Sequence, residues 1–191
     1  MDKKIGFGAH TGIELKEEES KGLVPDPAWK EKVLKEQWYV GNTINMSIGQ
    51  GDLQSNLLQV GIMAAVAANG GYLVKPHLSF VNTDAKAWRK SLNLAPSTVT
   101  VLKDGLRRVI TSGTAQALNV SSVAIAGKSG TAEDPPRKSH TWFVGYAPAD
   151  KPEILVVAFG ENSGGGGGSL TGPKVLNVIE AYMRLKKARK S

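Results

Sequence analysis

A chain of 191 residues with 41% hydrophobic and 21% charged residues has the make-up of one globular domain and excludes a disordered or fibrous segment. With no cysteine, disulfide frameworks and thiolate metal sites are excluded and the compartment stays open. No apolar run reaches the ~18 residues of a membrane span, and Met1-Asp2-Lys3-Lys4 leads into no signal-peptide core. Much of the formal charge of +7 sits at Arg184, Lys186, Lys187, Arg189 and Lys190, which suits a solvated helix C-terminus; with only Tyr182 nearby to stack, it offers no nucleic-acid platform.

Residues 6–55 are rich in Gly, Asn, Pro and charge and predict irregular chain with one short helix from Pro27 to Lys35, capped by Asp26. Leu57 to Ala68 is apolar almost all round, as in a helix buried on every side. Asn56 and Gln59 have capping-box spacing before it, and Asn69-Gly70-Gly71 offers a left-handed stop after it. A second helix fits Thr98 to Ile110, with Val99, Leu102, Leu106, Val109 and Ile110 inward and Ser97 or Thr98 as cap.

From Ser121 the period changes. Val123 to Ala132, Thr141 to Ala147 and Ile154 to Gly160 read as three strands, the last two joined by a short hairpin connection through residues 148–152. Gly164 to Gly168, flanked by Ser163 and Ser169, predicts a mobile loop and has the composition of an engineered linker. Gly172-Pro173 opens a final helix whose stripe is Val175, Val178, Ile179, Tyr182 and Leu185. The chain reads as one α+β unit: residues 1–120 mainly helix and loop, residues 121–191 a three-stranded antiparallel sheet with a terminal helix.

The most informative segment is Gly127-Lys128-Ser129-Gly130-Thr131-Ala132. A phosphate-binding loop requires glycine five residues before Gly127, where Ser122 stands, and a strand-to-helix setting that is missing. The remaining reading is a Lys-Ser-Gly strand of the serine acyl-transfer enzymes. There lysine supplies positive field and proton relay, hydroxyls bind a carboxylate, and glycine lets substrate approach the backbone.

Other segments follow in a set order: Gly12-Ile13-Glu14-Leu15, Trp38-Tyr39-Val40-Gly41-Asn42-Thr43, Ser47-Ile48-Gly49-Gln50-Gly51, Ala68-Asn69-Gly70-Gly71, Gly113-Thr114-Ala115, Lys128 to Ala132, and His140 to Pro148. In that order the chain resembles the transpeptidase domain of class B penicillin-binding proteins from about Gly6 to Tyr182. Within the class it is most similar to the elongation-type enzyme, penicillin-binding protein 2. Asn56-Leu57-Leu58-Gln59 departs from the family's usual Thr-Pro-Leu-Gln.

The resemblance implies a D,D-transpeptidase that attacks the D-Ala-D-Ala terminus of a peptidoglycan stem peptide, forms an acyl-serine, and passes the acyl group to a neighbouring amine. β-Lactams would acylate the same serine. Lys128 would join the network around the nucleophile, Ser129 and Thr131 hydroxyls would hold the carboxylate, Gly130 would keep the strand open, and the Thr131 backbone N–H would be an oxyanion donor. No cofactor or metal is implied. The expected setting is periplasmic, with an inner-membrane anchor upstream.

The family's nucleophile motif, Ser-x-x-Lys, occurs nowhere in the 191 residues. Ser91-Leu92-Asn93 matches the family's Ser-x-N motif, but out of order. Both motifs are expected before Met1, which makes this the C-terminal portion of a domain, inactive alone. His10, His77 and His140 are candidates for a catalytic triad, but no serine sits in a nucleophile-elbow sequence, and no two histidines have metal-ligand spacing. His140 is expected close to Lys128 as a cleft polar group, Gly49-Gln50-Gly51 to support a tight path before the buried helix, and Trp38, Trp142 and Tyr146 to be core or cleft wall. A different class of reading makes the piece a non-catalytic peptide-binding or scaffold module. In the family sheet the Ile154–Gly160 strand pairs with an earlier strand, so here its open edge predicts dimerisation or swapping.

Overall fold

The computed structural model describes residues 2–79 and 87–189, and Lys190 of the basic cluster lies outside them. Helix α1 (Pro27–Leu34) begins as its sequence dictates: Pro27 opens it, and the Asp26 side chain accepts from Trp29 N at 2.9 Å. Helix α2 (Val40–Ser47) is absent from the sequence expectation, because Gly41, Asn42, Thr43 and Asn45 are weak helix formers. Tertiary bonds supply what propensity lacks. The Asn42 Oδ1 accepts from Tyr39 N at 2.9 Å and from Lys30 Nζ at 3.1 Å, and Lys30, 5% exposed, also pairs with Glu36 at 3.2 Å.

Helix α3 (Leu57–Ala68) carries the expected capping box, Gln59 N to Asn56 Oδ1 at 2.8 Å and Asn56 N to Gln59 Oε1 at 3.1 Å. It is not buried on every side, since Leu57 and Met63 are exposed. The Gln59 side chain is fully buried and its Nε2 donates to Ala9 O at 2.8 Å and Lys21 O at 2.9 Å. The irregular N-terminal segment is thereby held to α3. Gly70 and Gly71, at φ 87° and 100°, turn the chain into β1 (Tyr72–Val74), which pairs antiparallel with β2 (Arg89–Ser91). That two-stranded sheet is too short for a sequence pattern to register.

Helix α4 (Pro96–Thr111) starts before the expected residue, with Pro96 in its first turn and Ala95 rather than Ser97 or Thr98 at the cap. Only its C-terminal half meets the core: Ile110 is buried and Leu106 and Val109 pack against it, while Leu102 stays exposed. Strands β3 (Ala126–Asp134), β4 (Arg137–Ala147) and β5 (Ile154–Gly160) form an antiparallel sheet in the order β3-β4-β5.

Alternation along β5 assigns the two faces. Ile154, Val156 and Ala158 join the core built on Phe143, Val175 and Ile179, whereas Leu155 and Val157 point at Gly61 of α3. Helices therefore cover both faces of the sheet, α3 on one and α6 (Gly172–Ala188) on the other. The buried face of α6 is Val175, Leu176 and Ile179, with Met183 packed beside them; Val178, Tyr182 and Leu185 of the expected stripe are exposed. The glycine tract is also corrected. Gly167 and Gly168 are buried in a short helix, α5 (Gly167–Leu170), packed on β3 and β4.

Candidate functional site

Among the described residues β3 pairs with β4 on one side only, so its second edge faces a cleft of about 530 Å³. The opposite wall comes from the α2–α3 side, where Met46, Ile48, Leu53, Val60 and Met63 present apolar surface. Lys128 to Ala132 form the strand wall, with Trp142 and Val144 of β4 beside it. Among the described residues Lys128 is the one ionisable side chain lining the cleft, so the field there favours an anion.

Each strand residue is placed by register. Lys128 is opposite Val144, Ser129 opposite Phe143, Gly130 opposite Trp142 and Thr131 opposite Thr141, which puts Lys128 and Ser129 on opposite faces. Lys128 Nζ donates to Ser129 O. On the other face the Ser129 hydroxyl shares a 2.8 Å hydrogen bond with the Thr114 hydroxyl. Thr114 stands in the loop after α4, and Arg107 of that helix donates to Ile125 O at 2.6 Å, just before β3 begins.

Glycines explain how tightly this wall is built. A Cβ on Gly130 would lie 3.2 Å from the Trp142 Cβ, and one on Gly167 would lie 2.1 Å from Trp142 O and 2.6 Å from Gly130 O. A Cβ on Gly168 would lie 2.5 Å from Thr114 O. The glycine-rich segment thus backs both the strand and the Thr114 loop. From across the cleft Gln50 Nε2 donates to Thr131 O at 3.3 Å, and Glu133 N donates to Gln50 Oε1 at 3.4 Å.

Lys128, Ser129, Gly130 and Thr131 are therefore brought together as sequence reading placed them. Thr114, Gln50, Gly167 and Gly168 complete the wall and were not singled out as site residues; the order of segments contained the first two, but only long-range contacts give them a place. The arrangement offers the Ser129, Thr131 and Thr114 hydroxyls and a cation for a carboxylate, and main-chain groups on a strand edge.

His140 is not close to Lys128: it pairs with Ala132, four ladder positions away. Its Nδ1 accepts from Asn162 N at 2.9 Å, and its Nε2 lies 3.4 Å from Asp134 Oδ2. Hydrogen bonds from Asn162 and Arg137 hold the Asp134 carboxyl below its ordinary 3.8. This cluster ties the β3–β4 hairpin tip to the loop after β5. His10 neighbours Glu19, and the His77 Nδ1 contacts Ser79 O; neither lines the cleft. Ser91 bonds Asn93 within its own turn, and Ser47, which lines the cleft, donates to Ile44 O at 2.7 Å.

The family model for the penicillin binding protein transpeptidase domain matches residues 1–180. The peptidoglycan D,D-transpeptidase MrdA of Acinetobacter baumannii is 34% identical over 188 residues, covering 86% of this chain and 28% of the relative. MrdA of Escherichia coli K12 is 30% identical, over 94% of this chain and 32% of the relative. Among solved structures, penicillin-binding protein 2 of Pseudomonas aeruginosa with WCK 5153 aligns at TM-score 0.82 and 33% identity, over 95% of this chain and 42% of that one. Penicillin-binding protein 2 of Helicobacter pylori in complex with MreC aligns at TM-score 0.82 and 29% identity, over 95% of this chain and 34% of that one. The chain spans about a third or less of the length of these curated relatives.

Proposed function

The chain belongs to the penicillin-binding-protein transpeptidase family, and from that premise we propose that it is the C-terminal portion of a peptidoglycan D,D-transpeptidase domain, contributing one wall of the catalytic cleft. The observation that carries this is the free edge of β3, where Ser129 and Thr114 share a hydrogen bond beside Lys128 in a cleft. A stem peptide ending in D-Ala-D-Ala would place its terminal carboxylate at the Ser129, Thr131 and Thr114 hydroxyls within the Lys128 field. The penultimate carbonyl would then face the Thr131 N–H, an oxyanion donor whose kind is worth roughly 10²–10³ in rate.

The attacking serine is supplied by polypeptide other than these residues, since the sequence has no Ser-x-x-Lys. Its oxygen forms the acyl bond as the amide to the terminal D-Ala breaks and that residue leaves with a proton. An amine of a neighbouring stem peptide then takes the acyl group and releases the serine. β-Lactams would acylate the same serine. The reading places the whole protein outside the cytoplasm, tethered to the inner membrane by a segment other than these residues, and with a cell-wall assembly partner such as MreC is for its relative. Among the described residues, no helix is long and apolar enough to cross a membrane.

Fluorescent penicillin tests the reading. The purified chain alone remains unlabelled, and added polypeptide carrying the family's Ser-x-x-Lys segment restores labelling that Lys128→Ala reduces by about 10²-fold or more. Covalent labelling of the chain alone on any serine overturns it. Saturable D-Ala-D-Ala peptide binding with no labelling under any condition supports instead a non-catalytic peptide-binding module.

A further inference from the structure

Gln50 stands between Gly49 and Gly51, both at φ 76°, a backbone path that glycine adopts without a Cβ clash and that aims one side chain across the cleft. Its carboxamide reaches β3 residues 81 and 83 positions later in the chain. A primary amide carries the donor and acceptor of a peptide unit, so bonds to Thr131 O and from Glu133 N reproduce what an added strand would make. Glu133 lies at the register shift between Ala132 and Asp134, where the extra residue is on β4, and alternation along β3 turns its N–H to the free edge. Main-chain groups of an antiparallel strand point alternately toward and away from the partner. Thr131, bonded outward to Gln50, therefore shares the free edge with Ser129.

We propose that Gln50 is a positioning residue that acts as a strand stub and ends the pairing edge of β3 at the Thr131 carbonyl, so that only the last two residues of an extended peptide lie along β3 and the third turns away. The direction rests on the transpeptidase reading: a terminal carboxylate at Ser129 sends the upstream residues toward Glu133. At about 3.3 Å per residue, the third one arrives where the carboxamide sits. Register on the strand fixes which carbonyl meets the Thr131 N–H, so this stop selects the bond presented for attack.

Residue-resolved amide exchange and peptide titration of the chain, native and with Gln50→Ala or Gln50→Glu, test the proposal. The Glu133 amide exchanges about ten-fold faster or more in Q50A, and Q50E, which keeps an acceptor oxygen, restores most of the protection; the β4 amides of residues 142–147 do not change in either. N-acetyl-L-Lys-D-Ala-D-Ala gains several-fold more affinity than N-acetyl-D-Ala-D-Ala does in Q50A. Equal Glu133 exchange in native and Q50A, or an equal affinity change for both peptides, overturns the proposal. If neither peptide shifts the Ser129–Thr131 signals in any variant, the substrate reading of the cleft falls and the register role with it, while Glu133 exchange still decides the edge-ending contact.

Discussion

Gln59 shows how much of the cleft depends on one buried amide. Its Nε2 satisfies the Ala9 and Lys21 carbonyls while its Oε1 caps α3, and an unpaired buried acceptor costs about 1–3 kcal/mol. Gln59→Leu is expected to lower stability by about 2–4 kcal/mol in urea unfolding, whereas a change under about 0.5 kcal/mol would show that the N-terminal segment is not held there. Asp134 gives a pH signature. Its folded value is depressed by Asn162 and Arg137, so its contribution is present above the ordinary 3.8 and fades as pH falls through the folded value. Native protein should therefore exceed Asp134→Asn in hairpin-tip amide protection near neutral pH, and the two should converge as pH falls through the depressed folded value; a constant difference would contradict the pairing. At this scale the sequence was readable where chemistry is local, as at Lys128 to Thr131 and at Asn56 with Gln59. It was silent at Thr114 and Gln50, whose meaning comes from partners 15 and 81 residues away.

The elements repeat that division between local and distant causes. Caps and proline positions placed α1, α3 and α6, because those signals act within one turn. Helix α2 escaped, since the bond from buried Lys30 to half-buried Asn42 stabilises it against its own composition. In α6 the sequence gives the period but not its phase: Leu176 and Met183, rather than Val178 and Leu185, turn inward because the sheet face they meet is supplied by distant strands. The glycine tract misled most. Its composition suggests mobility, yet Gly167 approaches β3 and β4 too closely for any side chain. Gly167→Ala is expected to destabilise by about 2–4 kcal/mol and to shift Gly130 and Trp142 signals. Gly166→Ala, whose Cβ would meet nothing nearer than 3.5 Å, should leave both within error, and equal effects would return the tract to a loose linker.

At the scale of the molecule, a three-stranded sheet lies between α3 and α6, with a free edge at each side among the described residues. The β3 edge is closed at Thr131 by Gln50. Among the described residues, the outer edge of β5 has no strand beside it, and apolar edges of that kind favour pairing with another chain. Sedimentation should show concentration-dependent association that Phe159→Lys, at the exposed apolar residue of β5, suppresses; a monomer at millimolar concentration would argue against it. The α+β class and three strands were legible because alternation and turns are local signals, while the β1–β2 pair was too short to read.

The most direct test is a titration of isotope-labelled chain with N-acetyl-D-Ala-D-Ala, followed at Thr114 and at Ser129, Gly130 and Thr131. Saturable shifts confined to those residues, weakened about five-fold or more by Ser129→Ala at unchanged urea midpoint, are the predicted result. Shifts elsewhere with none on β3, or the same affinity without the Ser129 hydroxyl, would contradict the claim that this strand edge holds the carboxylate end of a cell-wall peptide.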